Sequence, residues 1–191
     1  AVMLCTAQWT VREARTLGAT LRQTGERRSD LYGGFADYKG TPRTAWLETQ
    51  IASGRYPALY FVDGNARPDY FKQTAAERFT EWALYAVSLC LPYRNDLSNR
   101  FFDAWLTGQI PVVTPDIPEL DEPWAQPHRD RHFVCATGYE PEAIDAAHAR
   151  ALELFRAGGV EGVMTRHTLA LEEHMLHHRI ARIARLIQEA S

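Results

Sequence analysis

Between Val87 and Pro115 the chain reads VSLCLPYRNDLSNRFFDAWLTGQIPVVTP, and this stretch restricts the fold more than any other. An apolar run ends at Leu91-Pro92. Polar Tyr93, Arg94, Asn95 and Asp96 follow. A helical pattern opens at Leu97–Arg100 and closes at Gly108, and a second apolar run covers Ile110–Val113. Strand, polar loop, helix and strand in that order predict a parallel βαβ unit. A helix that begins just after a buried parallel strand turns its unpaired N–H groups into the crevice at the sheet edge, where anions bind. Arg100 stands in the first turn, where a cation opposes the helix dipole. Its placement predicts a negatively charged ligand there; a surface pair with Asp96 is the plain alternative.

The same alternation runs along the chain. Ala1–Thr6 reads as a first strand and Val11–Thr24 as a helix. Asp30–Gly34 is a short second strand. TPRTAWLETQIASG opens a helix with Pro42 in its first turn. Tyr56–Val62 is a third strand, closed by the turn residues Asp63-Gly64-Asn65, and Pro68–Tyr85 carries the next helix. Val87–Leu91, a helix over Leu97–Thr107, and Ile110–Thr114 complete the central unit. The four prolines of Pro115–Pro127 exclude regular structure there. His132–Ala136 reads as a sixth strand, followed by helices over Glu140–Phe155 and near Val160–Glu189. Near-continuous apolar strands alternating with helices predict an α/β fold. It would be a doubly wound, mainly parallel six-stranded Rossmann-like sheet with helices on both faces and a long C-terminal helix. Residues 1–157 would form that domain, and residues 158–191 a helical extension packed on it or on a partner domain.

Composition removes several function classes. With 46% hydrophobic and 11% aromatic residues the chain can fill a core, and a net charge of −3 argues against nucleic acid as its partner. No run of ~18 apolar residues predicts a membrane span, and AVMLCTAQW lacks the basic start of a signal peptide. Cys5, Cys90 and Cys135 each sit in an apolar run and fit no zinc spacing, which predicts reduced, buried thiols in a cytoplasmic protein. There is no GxGxxG after the first strand and no GxxxxGK[ST], so dinucleotide oxidoreductases and P-loop NTPases fit poorly. A flavodoxin-like or response-regulator reading fits less well, because the chain lacks the acidic cluster after the first strand and a phosphoacceptor Asp after the third followed by Thr/Ser and Lys. Phosphate binding in such a domain must rely on side chains and helix ends. In the common doubly wound order the first and fourth strands meet at the switch point. Arg12 and Arg100 would then converge on one diphosphate.

The run SNRFFDAWLTGQIPVV resembles the nucleotide-binding segment in the C-terminal domain of GT-B glycosyltransferases. That segment carries an acidic residue, a small residue, a Gly and a hydrophobic-Pro-Val-Val strand, here Asp103, Ala104, Gly108, Ile110, Pro111, Val112 and Val113. YAVSLCLPYRND is similar to the strand and loop of exostosin-like and fucosyltransferase-like members. CTAQWTVREARTLGATLRQTG…DLYGG is similar to the start of that domain in the fucosyltransferase-like group. The resemblance spans Ala1–Phe155 and is sharpest over Ser98–Val113.

The resemblance implies binding of a nucleotide-sugar donor. Arg100, with Ser98 and Asn99, would meet the diphosphate and Arg12 would meet it from the other side. Asp103 would hold the ribose hydroxyls, and Tyr93 and Asn95 would line the base or sugar pocket. Asp96 and Asp103 stand where retaining members carry Glu, and Asn99-Arg100 replaces a Glu-Lys pair. No DxD motif is present, which favours a metal-independent reaction with the nucleotide sugar as substrate and no cofactor. The expected activity is glycosyl transfer from that donor to a saccharide acceptor, in polysaccharide synthesis. A complete GT-B enzyme has two Rossmann-like domains, so an N-terminal domain would be a partner. The alternative is a non-catalytic nucleotide- or protein-binding module that retains the fold.

Other motifs carry plainer expectations. Lys39 and Arg43 in DYKGTPR fit a solvated loop, or contact with acceptor or phosphate. His174 and His178 at i, i+4 fit a partly exposed helix face rather than zinc, and His128 and His132 border a charged loop. In the basic tail ARIARLIQ, Ile180, Ile183, Leu186 and Ile187 form one stripe. That stripe predicts packing on the sheet, with a missing domain or an anionic inner membrane as alternative surfaces.

Overall fold

The computed structural model describes residues 7–62, 69–93, 96–115 and 117–189. Five strands, β1 (Arg28–Phe35), β2 (Leu59–Phe61), β3 (Tyr85–Cys90), β4 (Ile110–Val113) and β5 (Val134–Cys135), form one sheet in the order β2-β1-β3-β4-β5. Every pairing is parallel. The strand expected over Ala1–Thr6 lies outside the described residues, so the sheet described has five strands where the sequence predicts six. The order is that of flavodoxin-like proteins, in which the direction of winding reverses between β1 and β3.

The helices begin where short side chains satisfy free N–H groups. α1 (Val11–Gly18) and α3 (Ala75–Ala83) each open on a capping box, Thr10 with Glu13 and Thr74 with Glu77. α2 (Pro42–Ser53) is capped by Thr41, starts on Pro42, and ends at Gly54 in the left-handed region, φ 70°. The helix expected over Val11–Thr24 stops at Gly18, followed by a 3-10 turn at Leu21–Gln23. The one expected over Pro68–Tyr85 starts only at Ala75, because Thr74 supplies the cap. The proline-rich stretch holds two 3-10 turns, Pro118–Leu120 and Gln126–His128.

The sheet separates two cores. On one face Leu31, Phe35, Val87, Leu89 and Ile110 pack with Leu47 of α2 and with Ile144, Ala147 and Ala151 of α5 (Pro141–Glu173). On the other, Tyr32, Cys90 and Val113 pack with Phe79 and Trp82 of α3 and with α4 (Arg100–Leu106). The long helix α5 serves both. It is broken at Gly159 (φ 53°, ψ −150°), and beyond the break Val163 and Ala170 enter the second core. Residues 160–175 therefore complete the same two-faced sheet. α6 (Leu176–Glu189) buries no residue and leaves Leu176, Ile180, Leu186 and Ile187 exposed. The packing expected of the tail stripe is not formed: α6 is held instead through Arg179 over the rings of Phe102 and Trp124 and through the Arg182–Glu122 ion pair. Among the described residues no helix is long and apolar enough to cross a membrane.

From Phe101 to Leu106 every residue of α4 is buried, so its terminal carbonyls need partners inside the protein. Three side chains supply them. His167 Nδ1 donates to Leu106 O at 2.6 Å, and Arg27 to Thr107 O at 2.8 Å. Arg166 donates through Nε and Nη2 to Gly108 O at 3.0 and 2.9 Å. Cationic groups at this end also complement the helix dipole.

Candidate functional site

Reversal of winding between β1 and β3 leaves a crevice beyond Phe35 and Cys90, floored by the loops that follow the two strands. The sequence expects Arg12 beside Arg100 there. The strand that actually borders β3 is β1, so the meeting loop is 36–41 and the second arginine is Arg43, near the start of α2. Arg12 is exposed on α1, which packs on α3 and α5, and it lines neither cavity of the crevice.

Arg43 is anchored by a hydrogen bond from Nη2 to Ala36 O at 2.6 Å. Its guanidinium lies 4.6 Å from the ring centre of Tyr38 and 5.6 Å from that of Phe35. The Arg100 guanidinium lies 5.5 Å from the same Phe35 ring. Arg100 is half-buried, and its guanidinium makes no ion pair or hydrogen bond with a described residue. The alternative surface pair with Asp96 is not formed: Asp96 Oδ1 accepts the Tyr93 N–H at 2.9 Å. Asp96, Ser98, Asn99 and Arg100 line one small cavity together with Tyr38 and Arg43. The Arg100 N–H reaches Ser98 Oγ at 3.4 Å, while Asn99 makes no side-chain cap.

A larger cavity of about 600 Å³ adjoins it, walled by Arg43, Trp46, Leu91, Tyr93 and Tyr139 and by the first turn of α2. Trp46 Nε1 donates to Tyr139 O at 2.8 Å, which ties this wall to the segment after β5. Tyr93 packs on Tyr38 with ring centres 4.4 Å apart. Volume and aromatic lining suit a small organic ligand, and the guanidinium groups with the α2 N-terminus suit its negative charge.

The resemblance to GT-B domains assigns residues that the structure distributes unevenly. Arg100, Ser98, Asn99 and Tyr93 stand together at the crevice; Asn95 lies outside the described residues. Asp103 faces inward, 2% exposed. Its Oδ1 accepts the Gln8 N–H at 2.7 Å, and its Oδ2 lies 3.4 Å from the Gln8 amide. Burial pushes its carboxyl up to about 7, against the Gln8 hydrogen bond and the guanidinium groups of Arg100 and Arg78. That carboxylate ties α4 to the segment before α1, and no ribose reaches it in this arrangement. Trp46 and Tyr139 are residues sequence reasoning did not assign to the site, while Arg43, which the sequence offers as either a solvated loop residue or a phosphate contact, lines both cavities of the crevice. The signal for Arg43 is the strand-loop-helix pattern DLYGGFADYKGTPR, which repeats that around Arg100.

One histidine expectation changes. His174 is buried, 4% exposed, rather than on a helix surface; it stacks on Phe102 at 4.7 Å and its Nδ1 accepts from Arg179 at 3.0 Å. His128 and His132 pack edge-on against Trp105. No group of three His, Cys, Asp or Glu among the described residues is placed to hold a metal. Burial raises the Cys90 thiol to about 12, which keeps it an unreactive core group.

Topology and crevice together define a parallel α/β protein of the doubly wound, Rossmann-like class, open at its switch point. Compared with known protein families, curated proteins and solved structures, the chain matches none.

Proposed function

We propose that the switch-point crevice binds a nucleotide-diphosphate sugar and that the chain is the donor-binding half of a glycosyltransferase. The observation that carries this reading is the Arg100 guanidinium, half-buried and unpaired among the described residues, sharing the Phe35 ring with Arg43. Glycosyl transfer releases a nucleoside diphosphate. Charge growing on its bridging oxygen is stabilised by cations and N–H dipoles already in place. Arg43, Arg100 and the first turn of α2 supply these, and Trp46, Tyr93 and Tyr139 offer flat surfaces for a base. The acceptor saccharide and the group that deprotonates it would come from a second domain.

Thermal unfolding with UDP, GDP, CMP and their sugars tests the reading. A donor at ~100 times its dissociation constant stabilises the fold by ~2.7 kcal/mol, and Arg100→Ala should abolish the gain. The reading fails if no nucleotide shifts the transition. A second reading, a binding module without turnover, is favoured by the burial of Asp103, which leaves the crevice without the acid the resemblance expects. It predicts nucleotide binding with no release of nucleoside diphosphate from any sugar donor.

A further inference from the structure

At the opposite edge of the sheet, beside the starts of β1, β3 and β4, two guanidinium groups are buried together. Arg166 is 1% exposed and both of its hydrogen bonds go to Gly108 O. Arg27 donates from Nη1 to Thr107 O and Tyr85 O, at 2.8 and 3.3 Å. Its Nη2 is buried and has no hydrogen-bond partner among the described residues. Both cations lie over the ring of Phe155, 5.4 and 5.5 Å from its centre. Neither forms an ion pair with a described carboxylate.

Placing two like charges out of water without a counter-ion is costly, and carbonyl dipoles offset it only in part. The strain shows in the protonation equilibria. Burial lowers Arg27 to about 10, and burial together with the neighbouring Arg27 lowers Arg166 to about 9. Phe155 and Arg27 line a cavity of about 310 Å³, which Arg156 also lines. Gly159, the break in α5, also lies on its wall. Glu26 is the carboxylate on its wall, and it pairs with neither buried arginine.

We infer that this cavity is a second anion site, taking the phosphate group of a small molecule as the counter-ion that Arg27 and Arg166 lack. A tetrahedral oxyanion accepts from forked guanidinium donors in the way a carboxylate does. Of the two buried cations Arg27 stands on the cavity wall, with exposed Arg156 beside it, and Arg166 adds its charge from behind Phe155. The site is separate from the switch-point crevice and does not depend on the reading of that crevice.

The test is thermal unfolding of the whole chain in chloride buffer of constant ionic strength, titrated with inorganic phosphate and with pyrophosphate. The transition should rise and saturate, and the rise should persist in Arg100→Ala. Gly25→Glu places a carboxylate on the cavity wall, at a position where an added Cβ meets nothing within 4 Å. It should raise the anion-free transition and remove the response to phosphate. Arg156→Ala, at an exposed position, should leave the anion-free transition unchanged and shift the half-saturating phosphate concentration upward ~10-fold, the loss of one charge-assisted contact. A response that Gly25→Glu and Arg156→Ala both leave intact overturns the inference. So does one lost in Arg100→Ala, one that chloride reproduces, or no response at all.

Discussion

Arg43 and Arg100 rest on one aromatic ring, their guanidinium carbons 5.6 and 5.5 Å from the centre of Phe35, although they belong to different helices. The ring is fully buried at the end of β1, so it holds both cations at the rim of the sheet without neutralising either. Replacing either arginine by alanine should weaken a nucleoside diphosphate by ~10- to 100-fold, the range for a charge-assisted hydrogen bond. Unfolding midpoints without ligand should stay near that of the parent. Calorimetric titration checks the first statement and urea denaturation the second. A variant that binds as tightly as the parent removes that arginine from the site.

Asp103 should make the protein less stable as pH rises. Its native-state value of about 7 lies above that of an unfolded aspartate, so the native state holds a proton that the unfolded chain has lost. Stability from this group is full below ~4 and declines as pH rises towards 7. Asp103→Asn keeps an oxygen for the Gln8 N–H and removes the titration. Relative to the parent, the variant should gain stability steadily between those limits and show a constant difference below them. Urea titrations at a series of pH values measure the divergence.

His174 acts in the opposite sense. Burial, reinforced by Arg179, His128, His178 and Arg182, lowers it to about 3, while an unfolded histidine titrates near 6.5. Acid therefore favours the unfolded chain: stability is full above ~6.5 and is lost as pH falls towards 3. His132, lowered to about 4 mainly by burial, adds to the same trend. His174→Phe keeps the stacking on Phe102 and should reduce the acid sensitivity. Tryptophan fluorescence reports it, because Trp105 and Trp124 both contact His174.

The break in α5 depends on backbone freedom alone. Gly159 has φ 53° and ψ −150°, and an added Cβ meets nothing within 4 Å. Gly159→Ala should cost ~1–3 kcal/mol through backbone strain. Gly158→Ala, equally open and without a positive φ, should be neutral or stabilising by up to ~1 kcal/mol. Equal effects at the two positions would show that the break does not need the glycine conformation.

Local chemistry made much of the fold readable. Thr41-Pro42 opens α2, and Thr74 with Glu77 opens α3, although the capping pair is easily passed over in favour of the preceding Pro68. Apolar runs located β1 to β5 within a few residues. The candidate site was half readable. Arg100 stands where its pattern predicts, whereas the pairing with Arg12 follows only from one order of strands, and β1 beside β3 selects Arg43 instead.

Element type, helix starts and the exclusion of glycine-loop nucleotide folds follow from the sequence by itself, because caps and periodicity act between residues a few positions apart. Strand order, the partner of Arg100, the burial of Asp103 and His174, and the pairing of Arg27 with Arg166 were decided only in the tertiary structure. Those outcomes depend on which apolar surfaces meet across the sheet, and five similar parallel strands carry no local mark of their neighbours.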